Sequence, residues 1–441
     1  MPPDLRSSVP IVVSGNLVSG AIGLAVGLLA ARTLGADVFG GLGVALAIYA
    51  IVANVLDVRL TDIASRLYFR VSDSIAAASA HDVLAAATWI SLASGLAIAI
   101  VGSALAVLSV EHFTSVSLGS EVLLLLAVSE AASAPIGTLM LVHRLSDRVI
   151  PMTIFQVANA AQRGLLVATS LLLMPGAEGY AVALAAAACV GIVLALGFAR
   201  ATWPGGFNLF PGRGRLAVAF GGFRSEFRLA VSANLMGYAK MLHRGGDTLL
   251  VGWFASDAQT GAYRLARSLC DALLMVYEAI NRVYQPLLMR WIQERSVEAF
   301  RLAAFRLFCA GTAGMGIAQL VVALVGERVL ELVVGPTFAG LVPMLVLHLT
   351  TLFFTIGVQV WLWPIVLAGD GARSFAYAQI GAVLVGQYGL GVLMSLVAQD
   401  RAALWIAIGH IVAYVLMFGF AWRRQSRQPA TAQFFPRFVT R

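Results

Sequence analysis

The sequence predicts an all-α polytopic membrane protein with about twelve transmembrane helices, in two six-helix bundles related by a pseudo-two-fold axis along the membrane normal. Three observations lead there. Of 441 residues, 60% are hydrophobic and only 12% charged, against about 25% charged in ordinary soluble domains. Twelve apolar runs, each long enough to cross a bilayer core as a helix, lie near 9–31, 38–60, 82–108, 119–142, 150–174, 179–199, 226–254, 259–288, 299–325, 339–368, 373–397 and 402–422. The third observation is an internal repeat. "VSGNL" at Val13–Leu17 returns as "VSANL" at Val231–Leu235, and "GADVFGGLG" from Gly35 is echoed by "ASDAQTGAY" from Ala255, aligning Asp37 with Asp257 and Gly40 with Gly261. Gln156 aligns with Gln379, and "GYAVALAAA" from Gly179 resembles "RAALWIAIG" from Arg401, in the same order. Six spans per half is an even number, so both halves enter the membrane from one side and the repeat is parallel.

These boundaries predict an N-terminal bundle over 1–200, a cytoplasmic linker over 201–225, a C-terminal bundle over 226–425 and a basic cytoplasmic tail over 426–441. The linker holds Phe207, Phe210, Phe220 and Phe223 beside several arginines. It reads either as a segment lying on the cytoplasmic leaflet or as a plain flexible connection.

The basic residues report topology. One side of the spans collects Arg6, Arg59, Arg66, Arg70, Arg144, Arg148, Arg200 and most later arginines outside the spans, whereas the other has only Arg32, Arg328 and Arg401. By the positive-inside rule both termini are cytoplasmic. The net charge of +8 therefore marks loop ends, and nucleic acid is not an expected partner. Val9–Ala31 is longer than a signal-peptide core and runs directly into further spans, so it reads as a retained first helix. Cys189, Cys270 and Cys309 each stand alone in an apolar run, a pattern of neither a disulfide framework nor a metal site. No cofactor is expected.

Five basic residues fall inside spans: Arg163, Lys240, Arg244, Arg264 and Arg267. Charge at mid-membrane costs at least about 2.5–3.5 kcal/mol per residue, so such groups face a bundle interior or a water-filled cavity. Lys240, His243, Arg244 and Asp247 share one helix face at 100° per residue. Arg264, Arg267, Asp271, Glu278, Arg282 and Gln285 recur at threes, fours and sevens, forming a stripe about 31 Å long. Two facing stripes predict a wet, net-cationic cavity. The alternative is mutual neutralisation through the i,i+4 pairs His243/Asp247, Arg267/Asp271 and Glu278/Arg282. The five cations Lys240, Arg244, Arg264, Arg267 and Arg282 outnumber the three carboxylates Asp247, Asp271 and Glu278, so cancellation is incomplete. The charge also breaks the repeat, because the face of span seven has no charged counterpart in span one. Glu130, a lone carboxylate between Ser129 and Ser133 in span four, reads equally as an ion-coupling group or as a structural partner of Arg163. Pro135, Pro151, Pro343 and Pro364 interrupt or begin spans and are candidate kinks.

The opening "LLAARTLGADVFGGLGVALAIYAIVANVLDVRLTDIASRLYFR" resembles the start of the polysaccharide-transporter branch of the multidrug/oligosaccharidyl-lipid/polysaccharide exporter superfamily. Ala31, Arg32, Leu34, Gly35, Asp37, Phe39, Gly40, Asp57 and Arg66 match that family's first hairpin, and Gly261, Tyr263 and Ala266 match its Gly-x-Tyr-x-x-Ala segment. The sequence departs from the pattern after Asp57, where Val-Arg-Leu replaces the usual glycine.

The resemblance implies a flippase for polyprenyl-diphosphate-linked oligosaccharides in surface polysaccharide synthesis. A diphosphate needs fixed cations, and arginine suits it through planar bidentate donation. Arg163, Lys240, Arg244, Arg264, Arg267 and Arg282 are the expected substrate ligands. Asp57, Glu130, Asp247 and Asp271 are the expected coupling carboxylates. Partners implied are the lipid-linked saccharide, membrane lipids, and a polysaccharide polymerase and export machinery, in a bacterial inner membrane. A multidrug exporter of the same superfamily is the alternative, for which a carboxylate-dominated cavity is expected. A membrane enzyme of polysaccharide assembly is disfavoured by short outer connections and by the lack of any Asp-x-Asp.

Overall fold

A computed structural model of the chain describes residues 3–56, 60–72, 80–145, 149–202, 207–210, 212–294, 296–338, 341–362, 364 and 372–426. These residues are almost entirely helical and contain no strand. In chain order the α-helices are α1 (Pro3–Leu56), α2 (Leu60–Ser72), α3 (Ala80–Ser109), α4 (Ser120–Leu145), α5 (Val149–Leu173), α6 (Ala177–Thr202), α7 (Arg213–Arg244), α8 (Gly246–Phe254), α9 (Asp257–Gln293), α10 (Val297–Val334), α11 (Leu341–Gly357), α12 (Ala372–Val383), α13 (Gly391–Val397) and α14 (Ala402–Ser426). Wider π-helical turns follow α11 at Val358–Leu362 and join α12 to α13 at Leu384–Leu390.

Eight stretches among the described residues are long and apolar enough to cross a membrane, and the first, Val13–Leu56, has 44 residues. At 1.5 Å per residue that stretch is about 66 Å long, enough for two crossings. Gly35 divides it, because its φ of 73° and ψ of 169° leave the helical region, a conformation open to glycine without steric cost. The remaining expected spans fall on α5, on α7 with α8, and on α9, which carry the intramembrane polar residues and are less apolar for that reason. With them the count reaches the expected twelve. The amphipathic α2 was not legible as a separate helix, since the span reading ran on to residue 60.

The chain falls into two compact units, Met1–Leu34 with Gly41–Met241, and Gly35–Gly40 with Leu242–Arg441. Residues 201–225, expected as a linker, fall within the first unit by this division. The helix α7 is continuous from Arg213, and Phe207, Ala219 and Phe223 are buried in one cluster with Leu67, Leu84, Leu139 and Phe155 of the first unit. Trp89 fixes the preceding turn by donating its indole N–H to the Leu209 carbonyl at 2.9 Å. The described residues Phe207, Ala219 and Phe223 thus pack within the first unit. Phe210 and Phe220 stay exposed.

In the first unit, small residues let helices approach closely. Ala181, Ala183, Ala185 and Ala188 on α6 are buried, while Gly95 on α3 sits against the Ala131 carbonyl of α4. Outward, Leu96, Leu108, Leu165 and Leu172 are largely exposed, an apolar surface suited to lipid. Tyr49 is fully buried, and its hydroxyl donates to the Leu123 carbonyl at 2.7 Å. Replacing Tyr49 by Phe should cost about 0.5–1.5 kcal/mol, and by Ala about 3–5 kcal/mol. Thermal unfolding of purified variants checks that order, and equal losses would mean the ring does not pack as described.

Candidate functional site

Among the described residues, polar side chains gather around Asp247 in the second unit and around a cavity at Glu130 in the first. In the second unit the sequence Gly245–Gly246 breaks the run from α7 into α8, placing Asp247 in the first turn of α8. Free N–H groups there favour a carboxylate. The Asp247 side chain is wholly buried. Its Oδ1 accepts from the Thr248 backbone N–H at 2.7 Å and from the Thr248 hydroxyl at 3.3 Å. Its Oδ2 accepts from the Tyr263 hydroxyl at 2.9 Å and from the guanidinium of Arg267. The His410 Nδ1 lies 3.8 Å from the same oxygen. Tyr263 packs edge-on against His348 at 4.8 Å, His348 against His410 at 6.3 Å, and His410 stacks on Tyr414 at 6.2 Å. Helices α8, α9, α11 and α14 thus converge on one buried ion pair flanked by two imidazoles.

This arrangement adds Asp247 to the expected partners of Arg267. Asp247 meets Arg267 and Tyr263 of α9, and the side chain of His243, its expected partner four positions back, lies outside the described residues. Asp271 is 4.0 Å from the Arg267 Nε and 40% exposed, the outer limit of an ion pair. Arg264 donates to the Phe39 carbonyl at 3.1 Å and lies 4.7 Å from the centre of the Phe39 ring. Two of the expected substrate ligands, Arg264 and Arg267, are therefore engaged by the protein itself. Helical spacing shows which residues share a face, but only packing shows which neighbour meets that face.

The contact between Phe39 and Arg264 explains part of the opening motif. A Cβ at Gly40 would collide with the Asp257 carbonyl, and one at Gly261 with the Ala36 carbonyl. The glycines paired by the repeat lie against each other's helix backbone.

In the first unit Glu130 lines a cavity of about 300 Å³ with Asn54, Thr61, Ser91, Ser94, Ser133 and Thr138. It feels the charge of Arg163 on α5, yet Arg163 is exposed and the two form no ion pair. Among the described residues, direct structural pairing of Glu130 with Arg163 is thus absent. Lys240 and Arg244 lie on α7 and Arg282 on α9, with side chains outside the described residues, and Asp57 lies outside them altogether.

Sequence reasoning missed Tyr263 as an ion-pair partner, and it missed His348 and His410. The signal was present, since an ionisable residue inside a span is a functional candidate by default, but the span inventory counted only lysine and arginine. Gln387, on the π-helical turn, is fully buried with neither amide atom hydrogen-bonded among the described residues.

Long apolar helices in two units, with charged residues set inside them, define a multi-pass membrane protein. The chain belongs to the family described as "Polysaccharide biosynthesis protein", which matches residues 5–291. Its fold is similar to an inward-facing multidrug-resistance MATE transporter of the MOP superfamily, with TM-score 0.70 and 14% identity over 96% of this chain and 98% of that one. It is similar also to the MATE multidrug transporter DinF-BH, with TM-score 0.67 and 16% identity over 99% and 97% of the two chains. A third likeness is to a MOP superfamily transporter from Pyrococcus furiosus whose reversed binding-pocket polarity suggests a different function, with TM-score 0.56 and 17% identity over 97% and 96%. No curated protein matches by sequence.

Proposed function

We propose that the protein is a flippase moving polyprenyl-diphosphate-linked oligosaccharide across the bacterial inner membrane for surface polysaccharide synthesis, with both termini cytoplasmic. The observation that carries this reading is the excess of basic residues on α7 and α9, in a chain of a polysaccharide biosynthesis family. With Arg267 neutralised by Asp247 and Arg264 held on Phe39, the head group falls to Lys240, Arg244 and Arg282, with Arg163 as a further contact. Glu130 and Asp57 then remain for coupling to an ion gradient, and access alternates between the two sides of the membrane. A polymerase and export machinery receive the product.

The test is export of lipid-linked saccharide in a deletion strain carrying Lys240→Gln with Arg244→Gln. Each substitution removes a charge-assisted donor worth about 1.5–3 kcal/mol, so the pair should weaken binding at least about 100-fold while expression holds. Normal export by the double variant would remove the anionic-substrate reading.

A second reading has one observation in its favour. The Glu130 cavity offers a carboxylate to a cationic compound, and the drug transporters above share the fold. Gradient-dependent efflux of a cationic dye by proteoliposomes, unaffected by the same double substitution, would favour it.

A further inference from the structure

Four arginines of the first unit flank one buried apolar cluster. Arg66 precedes Leu67 on α2, Arg200 follows Ala199 near the end of α6, and on α7 Arg215 precedes Leu216 while Arg224 follows Phe223. Leu67, Ala199 and Phe223 belong to that cluster, and Leu216 packs against it. Helices α2 and α7 touch there, since a Cβ at Gly222 would lie 3.5 Å from the Leu67 side chain. All four arginines are exposed, and none makes a hydrogen bond or ion pair among the described residues. The acidic side chains described at this end, Asp82 and Glu226, are buried, so the positive charge at the surface is not offset by them.

The depth of this surface follows from what the cluster contains. Val83 and Leu84 stand near the start of α3, Leu139 and Leu141 near the end of α4, Phe155 near the start of α5, and Ala195 and Ala199 near the end of α6. Successive spans run in opposite directions, so these four ends lie at one face of the membrane, the face richest in arginine. The cluster thereby holds α2 and the first turns of α7 at headgroup depth. Apolar side chains project there as well. Phe210 is 66% exposed, and Val218 and Phe220 are exposed on α7. The Phe210 ring is held out on a fixed mount: its backbone N–H donates to the Asn208 Oδ1 at 2.9 Å, the Leu209 carbonyl accepts from Trp89, and the Trp89 ring meets its own edge-on at 5.4 Å. Exposed aromatics beside unpaired arginines at that depth match a surface that sits between anionic headgroups and the first acyl carbons.

We propose that α2 and the start of α7 form a binding surface for anionic phospholipid, with Arg66, Arg200, Arg215 and Arg224 on the headgroup phosphates and Phe210 and Phe220 among the upper acyl carbons. Its assignment to the cytoplasmic leaflet rests on the orientation proposed above, but binding of the lipid does not, nor does it rest on the flippase reading. The test uses the purified full-length protein in nanodiscs of phosphatidylcholine, with and without phosphatidylglycerol, in the absence of saccharide. Two quantities are measured: the thermal unfolding midpoint, and the ratio of the two lipids retained by the protein on extraction into detergent. Phosphatidylglycerol should be enriched and should raise the midpoint, both effects weakening as salt screens the charges. Arg215→Gln with Arg224→Gln should lower the enrichment about 25-fold, at about fivefold for each arginine near the surface. Arg215→Lys with Arg224→Lys, which keeps both charges, should retain most of it.

Because both side chains are exposed and unpaired, the Gln pair should leave the midpoint in pure phosphatidylcholine unchanged. If that midpoint falls, Arg66→Gln on α2 decides by the same lipid ratio. Equal retention of the two lipids by the unsubstituted protein would overturn the proposal, as would full enrichment in the Gln pair. So would an equal rise of the midpoint with free inorganic diphosphate in phosphatidylcholine discs, which would make the surface a site for soluble anions. Enrichment together with failed saccharide export would defeat the flippase reading and leave the lipid surface standing. Export without enrichment would do the reverse.

Discussion

Replacing Asp247 with Asn is expected to lower the unfolding midpoint of the purified protein more than any other single charge neutralisation. Arg267, 12% exposed, would keep its charge and lose the carboxylate that accepts from it. Breaking a buried pair from one side costs about 3–5 kcal/mol, because the uncompensated ion remains in a poor solvent. Removing both charges together is often nearly neutral, so Arg267→Gln in the Asp247→Asn background should recover most of the loss. Asp271, at 4.0 Å, is too exposed to take over. Recovery in the double variant identifies the pair as structural. A single variant as stable as the parent would return Arg267 to the set of free substrate ligands.

Gly261→Ala should be nearly as damaging, though it changes no charge and adds only one carbon. That carbon meets the backbone carbonyl of Ala36, and the reciprocal substitution Gly40→Ala meets the carbonyl of Asp257. Backbone cannot swing aside as a side chain can, so the segment 35–40 must lift from α9, disturbing the Arg264 contacts with Phe39. A cost of at least about 1–3 kcal/mol follows from such overpacking, read as loss of monodisperse protein on size exclusion and of saccharide export. Gly314→Ala is the control, since nothing lies within 4 Å of its added carbon. If Gly261→Ala behaves like the control, the close approach is not required.

The extent of the helical membrane fold was legible because lipid imposes a simple rule: each crossing needs about 20 apolar residues. The repeat made Gly40 and Gly261 equivalent in sequence, but nothing in the pattern said that each lies against the other's helix. The stripe on α9 was legible by the same arithmetic of helix faces, and it put Arg267 on one face with Asp271. It could not choose between Asp271, four residues away on the same helix, and Asp247, twenty residues back across a helix break.

The sequence by itself determined that this is a helical, multi-pass membrane chain with charge held inside several spans, because hydropathy and helical period depend only on local order. Tertiary structure alone decided that Asp247 closes on Arg267 beneath two histidines, that Phe39 holds Arg264, and that Glu130 stands apart from Arg163 in an oxygen-lined cavity. Those contacts join residues from separate helices, and their distances depend on how the helices pack, which no spacing along one helix encodes.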